Sequence, residues 1–262
     1  MLADRLDSRS EIAGFATMRD QYFDRMDLAD DANILELGGG TGVIGRAYAR
    51  RTGFRGSYVV TDLSQSLIDI AQTHADSAGV GNRMAFKVVD AVTGDGLDGK
   101  KYDAVIMHTL LSHVPDPAAV LGTAANATRP TGTIAIFDAD YASLTISTGE
   151  EALDDEVLRA LRQNAIAQPD IMRKVPRIAS NLKLERRDFI PTLFAEAGSG
   201  EFFVGLAKAV AGVVAAQGKL DPEMASRWLA AIDQAISEGA FFAMCPYFTY
   251  IYRKTARLEG RQ

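Results

Sequence analysis

The pattern of apolar and polar positions along this chain predicts buried strands that alternate with amphipathic helices. The clearest unit is residues 34–42, ILELGGGTG, where apolar residues around one acid run into a glycine cluster, and helical spacing follows at 43–51. The same alternation continues with strands at 57–62, 84–91, from Tyr102 to about His108 and at 133–138, and with helices at 65–78 and 117–127. This order predicts a parallel sheet with helices on both faces.

The two ends of the chain follow other patterns. Residues 10–28 have apolar side chains at a spacing of three or four and predict one amphipathic helix. Past Asp140 the predicted elements are a charged helix at 150–168, a proline-punctuated segment at 169–182 that leads into a helix, an alternating strand within 182–194, helices at 200–217 and 222–238, and a final strand at 241–254. The helix at 200–217 is apolar almost all round, so we expect it to be buried or to cover a cavity.

The length of 262 residues suits one sizeable α/β domain with an elaboration. We predict three segments within this single domain. Residues 1–30 form an N-terminal helical segment, residues 31–141 form a ligand-binding core, and residues 142–262 complete the sheet and add a helical insert.

Composition and charge restrict the kinds of partner and the cellular location that we expect. The chain has 28 basic and 34 acidic residues, a net charge of −6, and no basic run, which argues against nucleic acid. The single cysteine, Cys245, excludes an internal disulfide framework and any multi-cysteine metal site. No stretch approaches the roughly 18 apolar residues of a membrane span, and the N-terminus lacks an apolar signal segment. We expect a cytoplasmic protein with no metal and no membrane partner, and a homodimer is left open.

The glycine turn favours a nucleotide-like cofactor. Glycines let backbone N–H groups approach a ligand closely, and the following helix N-terminus favours electron-rich groups. Asp62 lies twenty positions after Gly42 at a strand end, where doubly wound folds hold a ribose diol, although it also suits a helix cap. Asp90 ends the next strand and suits an adenine amino group, or an ordinary turn.

Two cofactor classes compete for this turn. Residues 40–45 satisfy the dinucleotide pattern GxGxxG, which would indicate a nicotinamide or flavin enzyme, but Gly38, Gly40 and Gly42 also give GxGxG. Glu36 lies two residues before the first glycine, where it would repel a pyrophosphate. S-adenosylmethionine has no phosphate, and its sulfonium and ammonium suit an acid. The sequence therefore favours S-adenosylmethionine.

Five stretches together resemble the successive motifs of class I S-adenosylmethionine-dependent methyltransferases: ILELGGGTG, VVTD, VVDA, YDAVIMHTLLSHVPDP and RPTGTIAIFDADY. The resemblance covers about residues 30–141. PDIMRKVPRIASNLKLERRDF and FFAMCPYFTYIYRK are similar to the small-molecule branch related to ubiquinone-biosynthesis methyltransferases. The resemblance implies a Rossmann-like, seven-stranded, mostly parallel sheet, with Leu184–Pro191 as strand six, a helical insert, and Phe242–Arg253 as an antiparallel strand seven.

The resemblance also implies roles for individual residues. The methionine part of the cofactor would lie among Glu36, Gly38, Gly40 and Gly42, and Asp62 would take the ribose. Asp90 and Ala91 would flank the adenine, Leu63 would lie against its ring, and His108 would line the cofactor or the acceptor. The chain lacks an Asn-Pro-Pro-Tyr type sequence after strand four, which argues against the enzymes that methylate amino groups of DNA and glutamine.

Methyl transfer from a sulfonium is an in-line displacement, so alignment of the acceptor and exclusion of water matter most. A base helps only when the acceptor must lose a proton, and the candidates are His113, His108 and Asp138, with a packing role for His113 as the alternative. The expected acceptor is a small, partly apolar metabolite methylated on oxygen or nitrogen, or on carbon. Its candidate binding residues are Tyr22, Asp140, Tyr141, Arg173 and Tyr247.

Two rival functions remain at this point. One is an NAD(P)-dependent oxidoreductase, which the GxGxxG reading of the turn would support. The other is a cofactor-binding, methyltransferase-like protein that acts as a cyclase or a scaffold.

Overall fold

The computed structural model describes the backbone of residues 2–255 and the side chains of residues 7–255. The predicted alternation of strands and helices is present over residues 33–139. In order, the elements are α1 (Leu2–Glu11), α2 (Ala13–Arg25), β1 (Asn33–Leu37), α3 (Val43–Ala49), β2 (Ser57–Asp62), α4 (Gln65–Ser77), β3 (Met84–Val88), β4 (Tyr102–His108), α5 (Pro117–Ala127) and β5 (Thr128–Ala139).

The remainder of the chain adds three strands and four helices within the described residues. They are β6 (Thr145–Ser147), α6 (Glu151–Asn164), α7 (Ile171–Asn181), β7 (Leu184–Ala197), α8 (Phe202–Ala216), α9 (Pro222–Ser237) and β8 (Phe242–Lys254). Residues 256–262 of the predicted third segment lie outside the described part of the chain.

The strands form one mostly parallel sheet with the order β3-β2-β1-β4-β5-β8-β6, and β7 also pairs with β8. The pairs β1–β2, β1–β4, β2–β3 and β4–β5 are parallel, so their carboxyl ends share one edge. β6 pairs antiparallel with β8. The predicted α/β fold with its insert of helices, α8 and α9, is confirmed, but the described residues contain eight strands instead of seven. The extra strand, β6, has three residues, too few to show an alternating pattern.

The chain divides into two compact units. The first unit contains the residues up to Asp138, Lys174–Ile190 and those from Phe248 onward, and the second unit contains Ala139–Arg173 and Pro191–Tyr247. The central strands β1 and β4 of the first unit are almost wholly buried, as their continuous apolar sequences predict. No helix between residues 2 and 255 is long and apolar enough to cross a membrane.

The prediction of a single helix at 10–28 is wrong. The chain forms α1 and α2, and the backbone of Ile12 between them is extended, with φ −65° and ψ 123°. Gly14 weakens helix propensity just after this break. The apolar spacing within 10–28 correctly marked the buried face of α2, which carries Phe15, Met18, Tyr22 and Phe23.

The almost wholly apolar helix predicted at 200–217 is α8, and it buries one face only. Phe203, Ala207, Ala211 and Val214 form that face, whereas Val213 is 54% exposed. The buried positions recur every three or four residues, so the helix packs as an amphipathic helix does although its sequence lacks a polar face.

A buried aspartate ties together three parts of the second unit. Asp154 of α6 is 5% exposed and accepts hydrogen bonds from Trp228 Nε1 at 2.8 Å and from both the backbone nitrogen and the hydroxyl of Thr148 at 2.9 Å. Trp228 lies on α9 and is fully buried. The carboxylate therefore satisfies an indole N–H that has no access to water.

Replacement of Asp154 by alanine is expected to lower the free energy of unfolding by about 2–4 kcal/mol, because three hydrogen bonds are lost and a buried indole donor is left without an acceptor. Urea unfolding monitored by fluorescence of Trp228, the one tryptophan of the chain, measures the change. Asp155→Ala, at the exposed neighbouring position, is the matched control. Equal midpoints for the two variants would contradict the role of Asp154.

Candidate active site

The turn between β1 and α3 requires glycine. Gly38, Gly40 and Gly42 have φ values of 67°, 54° and 71°, a region that residues with a Cβ rarely adopt. A Cβ on Gly38 would also lie 2.4 Å from a methyl carbon of Leu110. The turn is tied to the next strand because the Gly39 N–H donates to the Thr61 carbonyl at 2.7 Å. Its backbone can therefore approach a ligand at the carboxyl edge of the sheet.

Asp62 is held against this turn. Its Oδ2 accepts the Gly40 N–H at 2.9 Å and its Oδ1 accepts the Ser64 N–H at 3.0 Å. Each carboxylate oxygen keeps a second lone pair, which is what two ribose hydroxyls need. Leu63, the next residue, is 70% exposed and offers an apolar face beside the carboxylate. The structure thus brings together the turn, the expected ribose ligand and the expected adenine contact.

Asp90 and Ala91 follow β3 at the neighbouring strand end. The Val89 N–H donates to the Asp62 carbonyl at 3.0 Å, which joins the two strand ends directly. One oxygen of Asp90 accepts the Val92 N–H at 2.7 Å, so the local turn expected as the alternative is formed. Its other oxygen has no donor among the described residues, and both Asp90 and Ala91 are partly exposed. The turn and the adenine contact are therefore compatible.

Glu36 of β1 is the most unusual group at this edge. It is 1% exposed, and its Oε2 has no hydrogen-bond partner among the described residues. Burial raises the pKa of this carboxyl to about 8, and the charge of Asp62 adds to the rise. A buried carboxylate oxygen that no protein donor satisfies is costly unless a ligand cation satisfies it. Glu36 therefore fits the ammonium of S-adenosylmethionine.

His108 ends β4 and contacts Tyr22 of α2. The Tyr22 hydroxyl lies 3.0 Å from His108 Nδ1, and the imidazole stacks on Phe137 at 4.4 Å between ring centroids. Burial lowers the pKa of His108 well below its usual value, and the charges of Arg9 and Arg19 lower it further. We therefore expect a neutral imidazole at neutral pH. Tyr22, expected to contact the acceptor, is fully buried here, and that role stays a prediction.

Asp138 supports the loop that carries His113. Asp138 is the second-to-last residue of β5 and is fully buried. Its carboxylate accepts hydrogen bonds from the Ser112 backbone N–H at 3.0 Å and from the Ser112 hydroxyl at 2.9 Å. His113 follows Ser112 and is exposed. Asp138 thus fixes the loop after β4, and a role for either residue in proton transfer stays a prediction.

The other expected acceptor residues lie in the second unit. Asp140 is 3% exposed and accepts Arg173 Nη2 at 2.7 Å and Nε at 3.1 Å. The Arg173 guanidinium is thus paired with a carboxylate of the protein itself. Tyr141 and Tyr247 are 6% and 1% exposed. Their contact with an acceptor stays a prediction.

One group at the glycine turn was missed by the sequence interpretation. Asp7 of α1 accepts hydrogen bonds from the Thr41 hydroxyl and Arg46 Nη2, both at 2.9 Å, and lies 3.0 Å from His74 Nδ1. These contacts hold α1 against the turn, the start of α3 and α4. Asp7 lies in a charged stretch without apolar periodicity, so no sequence signal indicated it.

Comparison with known proteins identifies a methyltransferase domain within the chain. Residues 35–134 match a family model described as a methyltransferase domain. The chain is 26% identical over 141 residues to a ubiquinone biosynthesis O-methyltransferase from Hydrogenovibrio crunogenus, a match that covers 52% of this chain and 56% of that protein. Across its curated relatives the chain spans 41% to 65% of their length.

Two solved structures share the fold. A putative methyltransferase from Bacillus halodurans aligns with a TM-score of 0.66 at 13% identity, over 92% of this chain and all of that chain. A geranyl diphosphate C-methyltransferase from Streptomyces coelicolor, solved with Mg²⁺, geranyl diphosphate and S-adenosyl-L-homocysteine, aligns with a TM-score of 0.57 at 11% identity, over 92% of this chain and 80% of that chain. At these identities the likeness establishes the fold.

Proposed function

We propose that this chain, a class I S-adenosylmethionine-dependent methyltransferase with its methyltransferase domain at residues 35–134, transfers a methyl group to a small, partly apolar metabolite. The acceptor atom is an oxygen or a nitrogen, with carbon as a further candidate. The observation that carries this proposal is the unpartnered carboxylate oxygen of Glu36 beside the glycine turn, because it suits a cationic cofactor without phosphate.

The chain's own residues account for cofactor binding. Glu36 would hold the ammonium, Asp62 the ribose diol, and Asp90 the adenine amino group, while the turn glycines allow the close approach. The bound cofactor supplies a methyl group on a sulfonium that is already an activated leaving group. The protein then needs to align the acceptor and exclude water, and buried aromatic rings such as Tyr22 and Phe137 help to exclude it.

The neutral state of His108 limits its part in the chemistry. A neutral imidazole accepts or donates one hydrogen bond through its second nitrogen while the first contacts Tyr22. It can therefore orient an acceptor hydroxyl or amine without adding a positive charge near the sulfonium. His113, on the loop that Asp138 fixes, is our proposed base for an acceptor that must lose a proton.

The second unit contains a narrow apolar cleft. Its free volume is about 20 Å³, and its walls include Tyr141, Leu144, Ile146, Leu161 and Leu206. Apolar walls of this kind stabilise hydrocarbon by removing it from water. A ligand larger than one water molecule would have to widen the cleft.

Isothermal titration calorimetry with S-adenosylmethionine, S-adenosylhomocysteine and NAD(H) tests the cofactor. We expect S-adenosylhomocysteine to bind with a Kd of about 1–100 μM, or roughly −5.5 to −8 kcal/mol, and NAD(H) to show no heat of binding. Binding of NAD(H) alone would support the oxidoreductase and overturn the proposal.

A screen with radiolabelled S-adenosylmethionine and a panel of small phenols, amines and carboxylic acids tests methyl transfer. Labelled product with any of them supports the proposal and identifies the acceptor. Tight cofactor binding without product across the panel would instead favour the cyclase or scaffold function.

A further inference from the structure

We infer that Arg9 of α1 and Arg19 of α2 bind the carboxylate of the cofactor's methionine part, an inference that rests on the proposed function. The proposal above gives the ammonium of that amino acid to Glu36 and leaves its carboxylate without a partner. A carboxylate carries a full negative charge, and arginine is the side chain that binds it best, through paired N–H donors.

The two arginines line one small cavity at the carboxyl edge of the sheet. Its free volume is about 10 Å³, and its other walls include Val43 and Ile44 at the start of α3 and His108 at the end of β4. Val43 follows the last glycine of the turn directly. The cavity therefore lies beside the glycine turn and the end of β4, where the methionine part is expected.

Arg9 has only neutral partners among the described side chains. Its Nη2 donates to the Thr109 hydroxyl at 2.9 Å, and its guanidinium lies 5.7 Å from the centroid of the Phe15 ring. One hydrogen bond leaves four of the five guanidinium N–H donors for a ligand. A partly buried guanidinium without a counter-ion is unfavourable until an anion binds.

Arg19 is more buried than its acidic neighbour. Its side chain is 16% exposed and donates through Nε to Asp20 at 2.8 Å, whereas Asp20 is 53% exposed. The contact joins adjacent residues of one helix and uses a single nitrogen, which leaves the two terminal nitrogens of Arg19 for a ligand. Because Asp20 is largely exposed to water, this pair contributes little to stability, so Arg19 can bind a second carboxylate at small cost.

Glu36 lies in the same neighbourhood as the arginines. The Tyr22 hydroxyl contacts His108. Burial raises the pKa of the Tyr22 phenol, the charge of Glu36 raises it further, and the charge of Arg19 lowers it. Among the described side chains, a carboxyl with one oxygen that lacks a partner, the Arg9 guanidinium, which has no acidic partner, and the Arg19 guanidinium, which pairs only with Asp20, therefore lie near one Tyr22–His108 pair. Opposite charges so arranged match an amino acid zwitterion, whose ammonium and carboxylate are joined through one carbon atom.

Calorimetry with two ligands separates this contact from the rest of the site. S-adenosylhomocysteine carries the amino acid part, whereas 5′-methylthioadenosine keeps the adenosine and the sulfur but lacks that part. We expect Arg9→Met and Arg19→Met each to weaken binding of S-adenosylhomocysteine about 5- to 50-fold, as the loss of a charge-assisted hydrogen bond implies, and to leave binding of 5′-methylthioadenosine within about twofold.

Arg25→Met is the matched control, because Arg25 lies on α2, is exposed, and pairs with Asp188. Arg9→Lys keeps the positive charge and should recover part of the affinity, which guards against a variant that misfolds. Equal losses of affinity for the two ligands would overturn the inference, and so would an unchanged affinity for S-adenosylhomocysteine. A rise in the KM of the acceptor alone would overturn it as well, by assigning the arginines to acceptor binding. Failure of the unsubstituted protein to bind either ligand would overturn the proposed function itself.

Discussion

Asp62→Ala is expected to weaken binding of S-adenosylhomocysteine at least about 100-fold, or roughly 3 kcal/mol. Two losses add in this variant. The ribose hydroxyls lose their acceptor, and the N–H groups of Gly40 and Ser64, which now donate to the carboxylate, lose theirs. The glycine turn should then lose its fixed position at the end of β2. Isothermal titration calorimetry measures the change.

Two further variants sharpen this measurement. Asp69→Ala removes a carboxylate from α4 that bonds only Gln65 within the described residues, so it should leave the affinity within twofold. Asp62→Asn keeps one acceptor oxygen and should fall between alanine and aspartate. Binding of 5′-methylthioadenosine should weaken as much as that of S-adenosylhomocysteine, because both ligands carry the ribose. Undiminished affinity in Asp62→Ala would place Asp62 outside the site.

The sequence predicted the core of the fold because its strands follow a strong local pattern. Apolar runs gave the ends of β2 and β4 correctly at Asp62 and His108, whereas β3 ends at Val88, before Asp90, and β5 extends to Ala139, one residue past Asp138. Parallel pairing then places these strand ends at one edge. The methyltransferase prediction is supported over residues 35–134, which match a methyltransferase domain model, and the prediction of S-adenosylmethionine as the cofactor agrees with that match. The strand predictions succeeded because each depended on residues close together in the sequence, and the cofactor prediction rested on several such motifs in a fixed order.

The details that sequence missed depend on contacts between distant residues. Arg173 meets Asp140 across 33 positions, and Tyr22 meets His108 across 86. Periodicity indicates which face of an element is buried, but not which polar side chains meet there. The same limit applies to Asp7, whose partners lie on α3, α4 and the turn between β1 and α3. The short strand β6 was missed because three residues carry no period.

Charge explains why the N-terminal helices belong to the candidate site. The glycine turn offers neutral N–H groups, Glu36 offers a carboxyl that becomes negative when it loses its proton, and Arg9 and Arg19 offer positive charges. Asp7 fixes α1 to the turn and so keeps Arg9 in place. Cofactor binding and the position of α1 should therefore be coupled through Asp7.

Cofactor binding is expected to strengthen with pH through Glu36. The pKa of this carboxyl is about 8 in the protein alone, against an ordinary value of 4.5, because burial disfavours its charged form. Below pH 8 the carboxyl is therefore mostly protonated, and binding of an ammonium must displace that proton. The affinity should rise up to about tenfold for each pH unit well below 8 and level off above it. Calorimetry at several pH values, in two buffers of different ionisation enthalpy, should detect close to one proton released near pH 7.

Glu36→Gln removes the titrating group and tests this linkage. The variant should release no such proton and should bind S-adenosylhomocysteine more weakly at pH 8.5, by about 10- to 100-fold, because the amide offers no negative charge.

The stability of the protein without ligand should change with pH in the opposite direction. Since the folded state holds the proton of Glu36 up to a higher pH than the unfolded state, the free energy of unfolding should fall as the pH rises from about 5 to 8, and Glu36→Gln should lose this slope. Glu156→Gln, at an exposed position of α6, should behave as the unsubstituted protein, and an equal pH dependence in Glu36→Gln would assign the titration to another group.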